Sequence, residues 1–115
     1  MKLYVTGISG LLGLNVALQA RDQFEVAGCY QTHPVAADGL DAAALDLTDA
    51  VAASTALRNH RPDVIIHTAG LTDVDACERD PTLARRVHVD ASRTVAAVAR
   101  EIGARLIHIS TDHLF

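Results

Sequence analysis

The sequence predicts an α/β fold, a doubly wound parallel sheet in three α/β/α layers. Short apolar runs alternate with helical patterns along all 115 residues, which is the arrangement of a parallel sheet with right-handed crossovers. The run at residues 63–67 is apolar throughout its middle, as expected of a strand that is covered on both faces. Half of the residues are apolar and only 3% are aromatic, so small aliphatic side chains predominate and helices can pack closely on the sheet.

The predicted elements follow the order strand, helix, strand, loop, strand, helix, strand, helix, strand. Periodicity places strands at residues 2–6, 25–30, 43–47, 63–67 and 105–110, and helices at 11–21, 49–59 and 81–102. Thr48 is the expected cap of the second helix, Asp80 and Pro81 begin the third, and Gly103 ends it. Residues 1–115 are therefore predicted to form a single domain that is truncated after its fifth strand.

Composition and charge argue against several classes of protein. The formal net charge is −4 and the ten Lys and Arg residues are scattered, so nucleic-acid binding has no support. No apolar stretch is long enough for a membrane span, and a strand at residues 1–6 argues against a signal peptide. Cys29 and Cys77 form no C-x-x-C pair, which predicts reduced, packed thiols in a cytoplasmic protein. Neither zinc nor another metal is predicted, because Asp73, Asp75 and Glu78 suit a solvated loop.

The strongest local signal is the sequence TGISGLLG at residues 6–13, placed where a strand gives way to a helix. Gly7 permits a sharp turn, Gly10 lets a pyrophosphate approach the backbone, and Gly13 lets the helix lie close to the strand. The helix N-terminus directs about half a positive charge at this turn. A ligand-free turn is the alternative, but three glycines weaken a helix start by roughly 1 kcal/mol each without any return. The pattern therefore favours a dinucleotide-binding turn of the Rossmann type.

Four stretches together resemble one protein family over essentially the whole chain. They are TGISGLLG at 6–13, LDLTD at 45–49, the segment 61–81 with RPDVIIHTAG, and the segment 87–115, which ends in STDHLF. The sequence resembles the extended short-chain dehydrogenase/reductases and, within them, the dTDP-4-dehydrorhamnose reductase family. The resemblance implies an NAD(P)-binding protein that reduces a 4-keto-6-deoxy sugar linked to a nucleotide.

The resemblance also implies roles for individual residues. Thr111 would be the hydroxyl of a catalytic Thr/Tyr/Lys group, and Asp46 and Leu47 would contact the adenine. Thr72 would lie near the nicotinamide ribose, and His88, where the family has asparagine, near the cofactor. The remaining cofactor contacts would come from the glycine turn, from the residues after the second strand and from those after the fourth, namely Gly7, Gly10, Leu11, Leu12, Gly13, Tyr30, Gln31, Thr32, Thr68, Ala69 and Gly70. His67 and His108 are expected to be structural, and His113 stands where the family has tyrosine.

The chain departs from the family in lacking the Y-x-x-x-K motif. Tyr4 and Tyr30 are its only tyrosines and Lys2 is its only lysine. We therefore expect the N-terminal portion of a longer protein, with the catalytic Tyr/Lys segment and the substrate domain outside it, and no sugar reduction by these 115 residues alone. The fifth strand would then be an unprotected apolar edge.

Three questions stay open at the level of sequence. The cofactor is NADP or NAD; no acid follows the second strand to repel a 2′-phosphate, which favours NADP. The function is that of a nucleotide-sugar reductase, a nucleotide-sugar epimerase or dehydratase, or a non-catalytic NADP-binding regulatory subunit, since the β subunit of methionine adenosyltransferase has a similar V-D-A-S segment. The third question is the oligomeric state, for which a homodimer is one possibility.

Overall fold

The computed structural model describes residues 1–30, 34–68 and 81–109, and for residues 81–88 the backbone only. Five strands and three helices alternate within these ranges, as the sequence predicts. In chain order they are β1 (Lys2–Thr6), α1 (Leu11–Ala20), β2 (Glu25–Tyr30), β3 (Leu40–Ala44), α2 (Ala50–His60), β4 (Val64–His67), α3 (Pro81–Ile102) and β5 (Arg105–His108).

The strands form one parallel sheet in the order β3-β2-β1-β4-β5. Val5 in the central strand β1 is paired with Gly28 of β2 on one side and with Ile66 of β4 on the other. The strand order reverses between β1 and β4, so the carboxyl ends of these two strands flank the switch point at which open α/β sheets bind ligands. This topology confirms the predicted Rossmann-type fold.

The core lies on both faces of the sheet because alternate strand residues point to opposite sides. On one face, Leu3, Val5, Ile8, Ala17 and Val26 pack between the sheet and α1. On the other face, the buried residues join α2 and α3 to the strands; they are Tyr4, Cys29, Leu57, Ile65, Val95, Val98 and Ala99. The sheet is therefore covered on both sides, as the three-layer prediction requires.

The third strand lies earlier in the chain than predicted. It spans Leu40–Ala44 instead of residues 43–47, and it pairs in register with β2 from Val26 to Tyr30. Leu45 and Leu47 follow the strand and pack against the core formed with α2 and α3. The prediction was wrong because these two leucines alternate with polar residues as strand residues do. In the structure they belong to the loop between β3 and α2 and pack against the core.

Helix α2 is capped by Asp49, and not by Thr48 as predicted. The Asp49 carboxylate accepts a hydrogen bond from the Ala52 N–H at 3.1 Å, as a cap residue does. The Thr48 hydroxyl donates instead to the Asp46 carboxylate at 2.6 Å. Thr48 and Asp49 are both residue types that cap helices. Asp49 caps α2 and Thr48 binds Asp46, and the sequence alone does not say which of the two is the cap.

Replacing Asp49 with alanine should lower the free energy of unfolding by about 1 kcal/mol, the usual cost of losing an N-cap. Thr48→Ala is the matched control, because it removes the neighbouring hydroxyl and leaves the cap in place. Urea denaturation followed by circular dichroism gives both values. A larger loss in Thr48→Ala than in Asp49→Ala would reverse the assignment of the cap.

Helix α3 ends where the sequence predicts. Gly103 follows its last residue with φ +73°, the left-handed conformation that favours glycine at a helix end. The next strand, β5, stops at His108 and is shorter than the predicted 105–110. Among the described residues, no helix combines the length and the apolarity that crossing a membrane requires.

Candidate functional site

The glycine turn, residues 7–13, connects β1 to α1. Gly7 has φ +68°, which a side chain would strain. Its carbonyl oxygen accepts a hydrogen bond from the Gly10 N–H at 2.9 Å, so residues 7–10 form a tight turn. Gly10 is the N-cap in extended conformation, and its own carbonyl accepts from the Leu14 N–H at 2.9 Å. The turn therefore reverses the chain at the carboxyl end of β1, as predicted.

Among the described residues, no side chain caps the start of α1. Gly10 has no side chain that could accept a hydrogen bond from the first turn, and that turn contains no acidic residue. The first N–H groups of a helix lack partners within the helix and carry a partial positive charge. Leu11, with 82% of its surface exposed, and Leu12, with 40%, flank these groups. Such a helix start can accommodate an anionic group at its N–H groups, with apolar parts of the same ligand against the two leucines.

Gly13 allows α1 to lie against the end of β1. A Cβ at this position would overlap the Gly7 carbonyl oxygen and would lie 2.9 Å from the Gly7 carbonyl carbon. It would also lie 3.0 Å from the Thr68 hydroxyl oxygen. Real Cβ atoms essentially never approach a backbone atom this closely, so only glycine fits. Gly13 thus has the packing role that the sequence predicted for it.

The glycine turn is supported by contacts with β2. Two residues that the sequence analysis did not single out make these contacts, Ile8 in the turn and Gly28 in β2. Ile8 is fully buried, and its N–H donates to the Cys29 carbonyl oxygen at 3.0 Å. The Ile8 side chain lies over Gly28, where a Cβ would be 2.8 Å from Ile8 Cδ1. A glycine inside a strand often marks the close approach of another group, and this signal at Gly28 could have been used.

Thr68 follows β4 and reaches the glycine turn from the other side. Its hydroxyl donates to the Thr6 carbonyl oxygen at 2.5 Å, with a longer contact of 3.4 Å to the Gly7 carbonyl oxygen. Its N–H donates to the Thr6 hydroxyl oxygen at 3.0 Å. The Thr68 side chain is buried and bound to the protein, so it braces the turn instead of facing outward.

His67 and Cys29 are buried close to this edge of the sheet. His67 is hydrogen-bonded to the hydroxyls of Thr6 and Ser92, and its ring lies 5.1 Å from the ring of His108, centroid to centroid. Burial raises the pKa of the Cys29 thiol, and it also raises that of its neighbour, the Tyr4 phenol. Both groups therefore stay protonated at neutral pH. Cys29 is a packed thiol, as predicted, and Cys77 lies outside the described residues.

Tyr30, Asp46 and Leu47 lie along the same edge of the sheet. The Tyr30 carbonyl accepts from the Leu45 N–H at 2.9 Å, which holds the segment after β3 beside the end of β2. Asp46 is exposed, and hydrogen bonds from the hydroxyl and the N–H of Thr48 lower the pKa of its carboxyl group. Asp46 is thus an exposed carboxylate in a fixed orientation, and the half-buried Leu47 lies next to it.

The remaining predicted site residues lie outside the described part of the chain. They are Gln31, Thr32, Ala69, Gly70, Thr72 and the catalytic candidate Thr111, and of His88 only the backbone, within α3, is described. The acidic residues Asp73, Asp75 and Glu78 also lie outside it. Within the described residues, no group of three or more His, Cys, Asp or Glu side chains could hold a metal ion.

The sheet order, the glycine turn at the switch point and the close packing of α1 define a Rossmann-type fold. The chain belongs to the family described as the RmlD substrate binding domain, whose model matches residues 1–115.

Curated relatives agree with this family. The chain is 35% identical to a dTDP-4-dehydrorhamnose reductase from Streptomyces griseus over 111 residues, which are 96% of the chain and 33% of the relative. It is also 35% identical to methionine adenosyltransferase 2 subunit beta from Xenopus laevis over 112 residues, again 96% of the chain and 32% of the relative. The chain therefore spans about a third of the length of these relatives.

Solved structures show the same fold. A hypothetical dTDP-4-dehydrorhamnose reductase from Sulfolobus tokodaii matches with a TM-score of 0.87 at 34% identity, covering all of this chain and 41% of the other. A UDP-glucose 4-epimerase from Thermus thermophilus, solved in complex with NAD, matches with a TM-score of 0.81 at 25% identity, covering 92% of this chain and 36% of the other.

Proposed function

We propose that the glycine turn binds the pyrophosphate of a nicotinamide dinucleotide. The observation that carries this proposal is the uncapped start of α1 at the switch point between β1 and β4. Gly7 and Gly10 leave the backbone accessible there, and the helix offers N–H groups and partial positive charge to an anion. The exposed Leu11 and Leu12 flank the bound diphosphate.

The adenine half of the dinucleotide lies toward the end of β3. The Asp46 carboxylate has one oxygen engaged with Thr48, and its other oxygen accepts a hydrogen bond from the adenine amino group. Leu47 offers apolar surface to the ring. Because the Thr48 hydrogen bonds lower the pKa of Asp46, the group stays an acceptor at neutral pH.

The ribose next to the adenine lies after β2, at Tyr30, Gln31 and Thr32. In NAD-preferring Rossmann proteins an Asp or Glu in this region binds the 2′-hydroxyl. The sequence has no acid there, so NADP is the proposed cofactor and NAD the alternative. The nicotinamide half follows the residues after β4, namely Thr68, Ala69, Gly70 and Thr72, and reaches toward His88 of α3.

The complete protein is proposed to be a nucleotide-sugar reductase that acts on a dTDP-linked 4-keto-6-deoxy sugar. The reduced nicotinamide, when bound, supplies the hydride that adds to C4. The Thr111 hydroxyl donates a hydrogen bond to the keto oxygen as negative charge develops there, and this oxygen then takes up a proton. The proton donor is the family's tyrosine, which with its lysine lies outside these 115 residues, so this chain by itself forms the cofactor-binding portion.

One observation favours a second candidate. The 35% identity to methionine adenosyltransferase 2 subunit beta equals the identity to the reductase from Streptomyces griseus. The complete protein would then be a regulatory subunit that binds the dinucleotide without turning over a sugar. An epimerase or dehydratase would use the same cofactor site, but would return the hydride to the sugar and consume no NADPH.

Replacing Gly10 with alanine separates cofactor binding from folding. The Gly10 backbone has φ −72° and ψ 163°, which any residue adopts, so the free energy of unfolding should change by about 1 kcal/mol or less. The new Cβ lies where the pyrophosphate must approach, so the dissociation constant for NADPH should rise about tenfold or more. Calorimetric titration of the complete protein with NADPH and with NADH gives the constants.

Gln19→Ala, an exposed position on the same helix, is the control and should bind NADPH as the unsubstituted protein does. If Gly10→Ala also binds like the unsubstituted protein, the pyrophosphate site lies elsewhere. Adding the dTDP-linked 4-keto-6-deoxy sugar then distinguishes the functions. Stoichiometric NADPH oxidation supports the reductase, and binding without oxidation supports the regulatory subunit.

A further inference from the structure

A chain of hydrogen bonds joins β1, β4 and α3 next to the proposed cofactor site. The Thr6 hydroxyl and His67 Nδ1 are 2.7 Å apart, and His67 Nε2 lies 3.3 Å from the Ser92 hydroxyl. Thr6 and His67 are almost fully buried. The imidazole therefore uses one ring nitrogen toward β1 and the other toward α3, and so connects a central strand to a helix.

The Thr6 end of this chain is part of the support of the glycine turn. Thr68 clamps Thr6 with three hydrogen bonds. The Thr68 N–H donates to the Thr6 hydroxyl and, at 3.3 Å, to the Thr6 carbonyl oxygen, and the Thr68 hydroxyl donates to the same carbonyl oxygen. Gly7, the first residue of the turn, is the next residue along the chain. A shift of the Thr6 side chain would therefore move both the start of the turn and the end of β4.

The Ser92 end of the chain lies on the helix that is proposed to approach the nicotinamide half. Ser92 is four residues after His88, so the two residues share one face of α3. A hydrogen bond has a fixed length and direction, unlike an apolar contact, which tolerates sliding. The bond from His67 to Ser92 thus sets the position of this face of α3 relative to the end of β4.

Apolar side chains at positions 6 and 67 would fill the same core without the cost of burying polar groups. The buried polar chain therefore adds directional connections that packing alone does not need. We infer that His67 is a positioning residue that couples the glycine turn to helix α3 and so holds the two halves of the dinucleotide site in register. This inference rests on the proposed dinucleotide site. His67 is buried, so it acts on that site through its neighbours, among them Thr6 and Ser92.

Three substitutions in the complete protein test the coupling. His67→Leu removes the hydrogen bonds to Thr6 and to Ser92, and Ser92→Ala removes the one that joins His67 to α3. In His67→Asn the shorter amide keeps a polar atom near the position of Nδ1, opposite Thr6, and cannot reach Ser92. One lost hydrogen bond corresponds to roughly a 2- to 12-fold change in an equilibrium constant. We expect His67→Asn and Ser92→Ala to raise the dissociation constant for NADPH by about the same factor in this range, and His67→Leu to raise it further.

A double-mutant cycle distinguishes coupling from a purely structural role. It measures whether the effects of the two substitutions on the NADPH dissociation constant are additive. If the two residues act through one hydrogen bond, adding Ser92→Ala to His67→Asn should change the NADPH dissociation constant no further. Thr94→Ala is the matched control, because the Thr94 hydroxyl bonds back to the Asp90 carbonyl within α3, and it should leave binding unchanged. All titrations are run well below the unfolding temperature of each variant.

The outcomes separate this inference from the proposed function. If the unsubstituted protein binds neither NADPH nor NADH, the proposed cofactor site fails, and the inference with it. If it binds, but His67→Asn and Ser92→Ala bind equally well and only lose stability, the cofactor site stands and His67 is merely structural. Additive effects in the double variant would also overturn the coupling. Should His67→Leu fail to fold, the other two variants and their combination still decide.

Discussion

Replacing Gly13 with alanine should destabilise the fold and weaken NADPH binding at the proposed cofactor site, although the substitution by itself favours a helix. Alanine in a helix interior is about 1 kcal/mol more favourable than glycine. Against this gain, the new Cβ would overlap the carbonyl oxygen of Gly7 and crowd the Thr68 hydroxyl. Overpacking of this kind costs about 1–3 kcal/mol or more, and the obstacle here is backbone, which cannot rotate away. We therefore expect the free energy of unfolding to fall by about 2 kcal/mol.

The loss of binding should exceed the loss of stability. Relief of the clash requires α1 to move away from the end of β1, and the first N–H groups of the helix move with it. The NADPH dissociation constant should rise by more than tenfold at a temperature at which the variant is still folded. Gln19→Ala, exposed on the same helix, is the control, and its free energy of unfolding should change by about 0.5 kcal/mol or less. A Gly13→Ala protein as stable as this control would mean that the helix is not packed as described.

The sequence predicted the order of elements because each one has its own local signal. Strand β4 is an apolar run, and α3 carries a long apolar stripe with a glycine at its end. The glycine turn was predictable in more detail, since the positive φ of Gly7 and the close packing of Gly13 follow from the absence of a side chain. These features depend on residues near one another in the chain, which is the range that a sequence pattern covers.

What the sequence did not predict depends on contacts between distant segments. The position of β3 is set by its register against β2, where Leu40 is paired with Val26, and a pattern of alternating leucines does not contain this register. The clamp between Thr6 and Thr68 joins residues 62 positions apart. His67 was expected to be structural. Its hydrogen bond to Ser92 became visible only once α3 was placed against β4.

Gly28 is the second position where an added methyl group should have a large effect. A Cβ there would overlap the Val5 carbonyl oxygen in the neighbouring strand and lie 2.8 Å from Ile8 Cδ1. The end of the isoleucine side chain can move aside, but the Val5 carbonyl is part of the central strand. Gly28→Ala therefore requires β1 and β2 to separate locally, and we expect the free energy of unfolding to fall by about 1–3 kcal/mol.

This substitution also tests whether β2 supports the proposed cofactor site. The Ile8 N–H is bound to the carbonyl of Cys29, the residue after Gly28, so a displaced β2 moves the glycine turn and should weaken NADPH binding in a calorimetric titration. Gly103→Ala is the control, because nothing lies within 4 Å of its Cβ and only the backbone at φ +73° resists it, at a cost of about 1–2 kcal/mol. Equal stability losses in the two variants, with only Gly28→Ala weakening NADPH binding, would assign the effect to Ile8 and the turn. Unchanged binding in Gly28→Ala would show instead that the turn keeps its position without β2, because the strain would then be absorbed within the sheet.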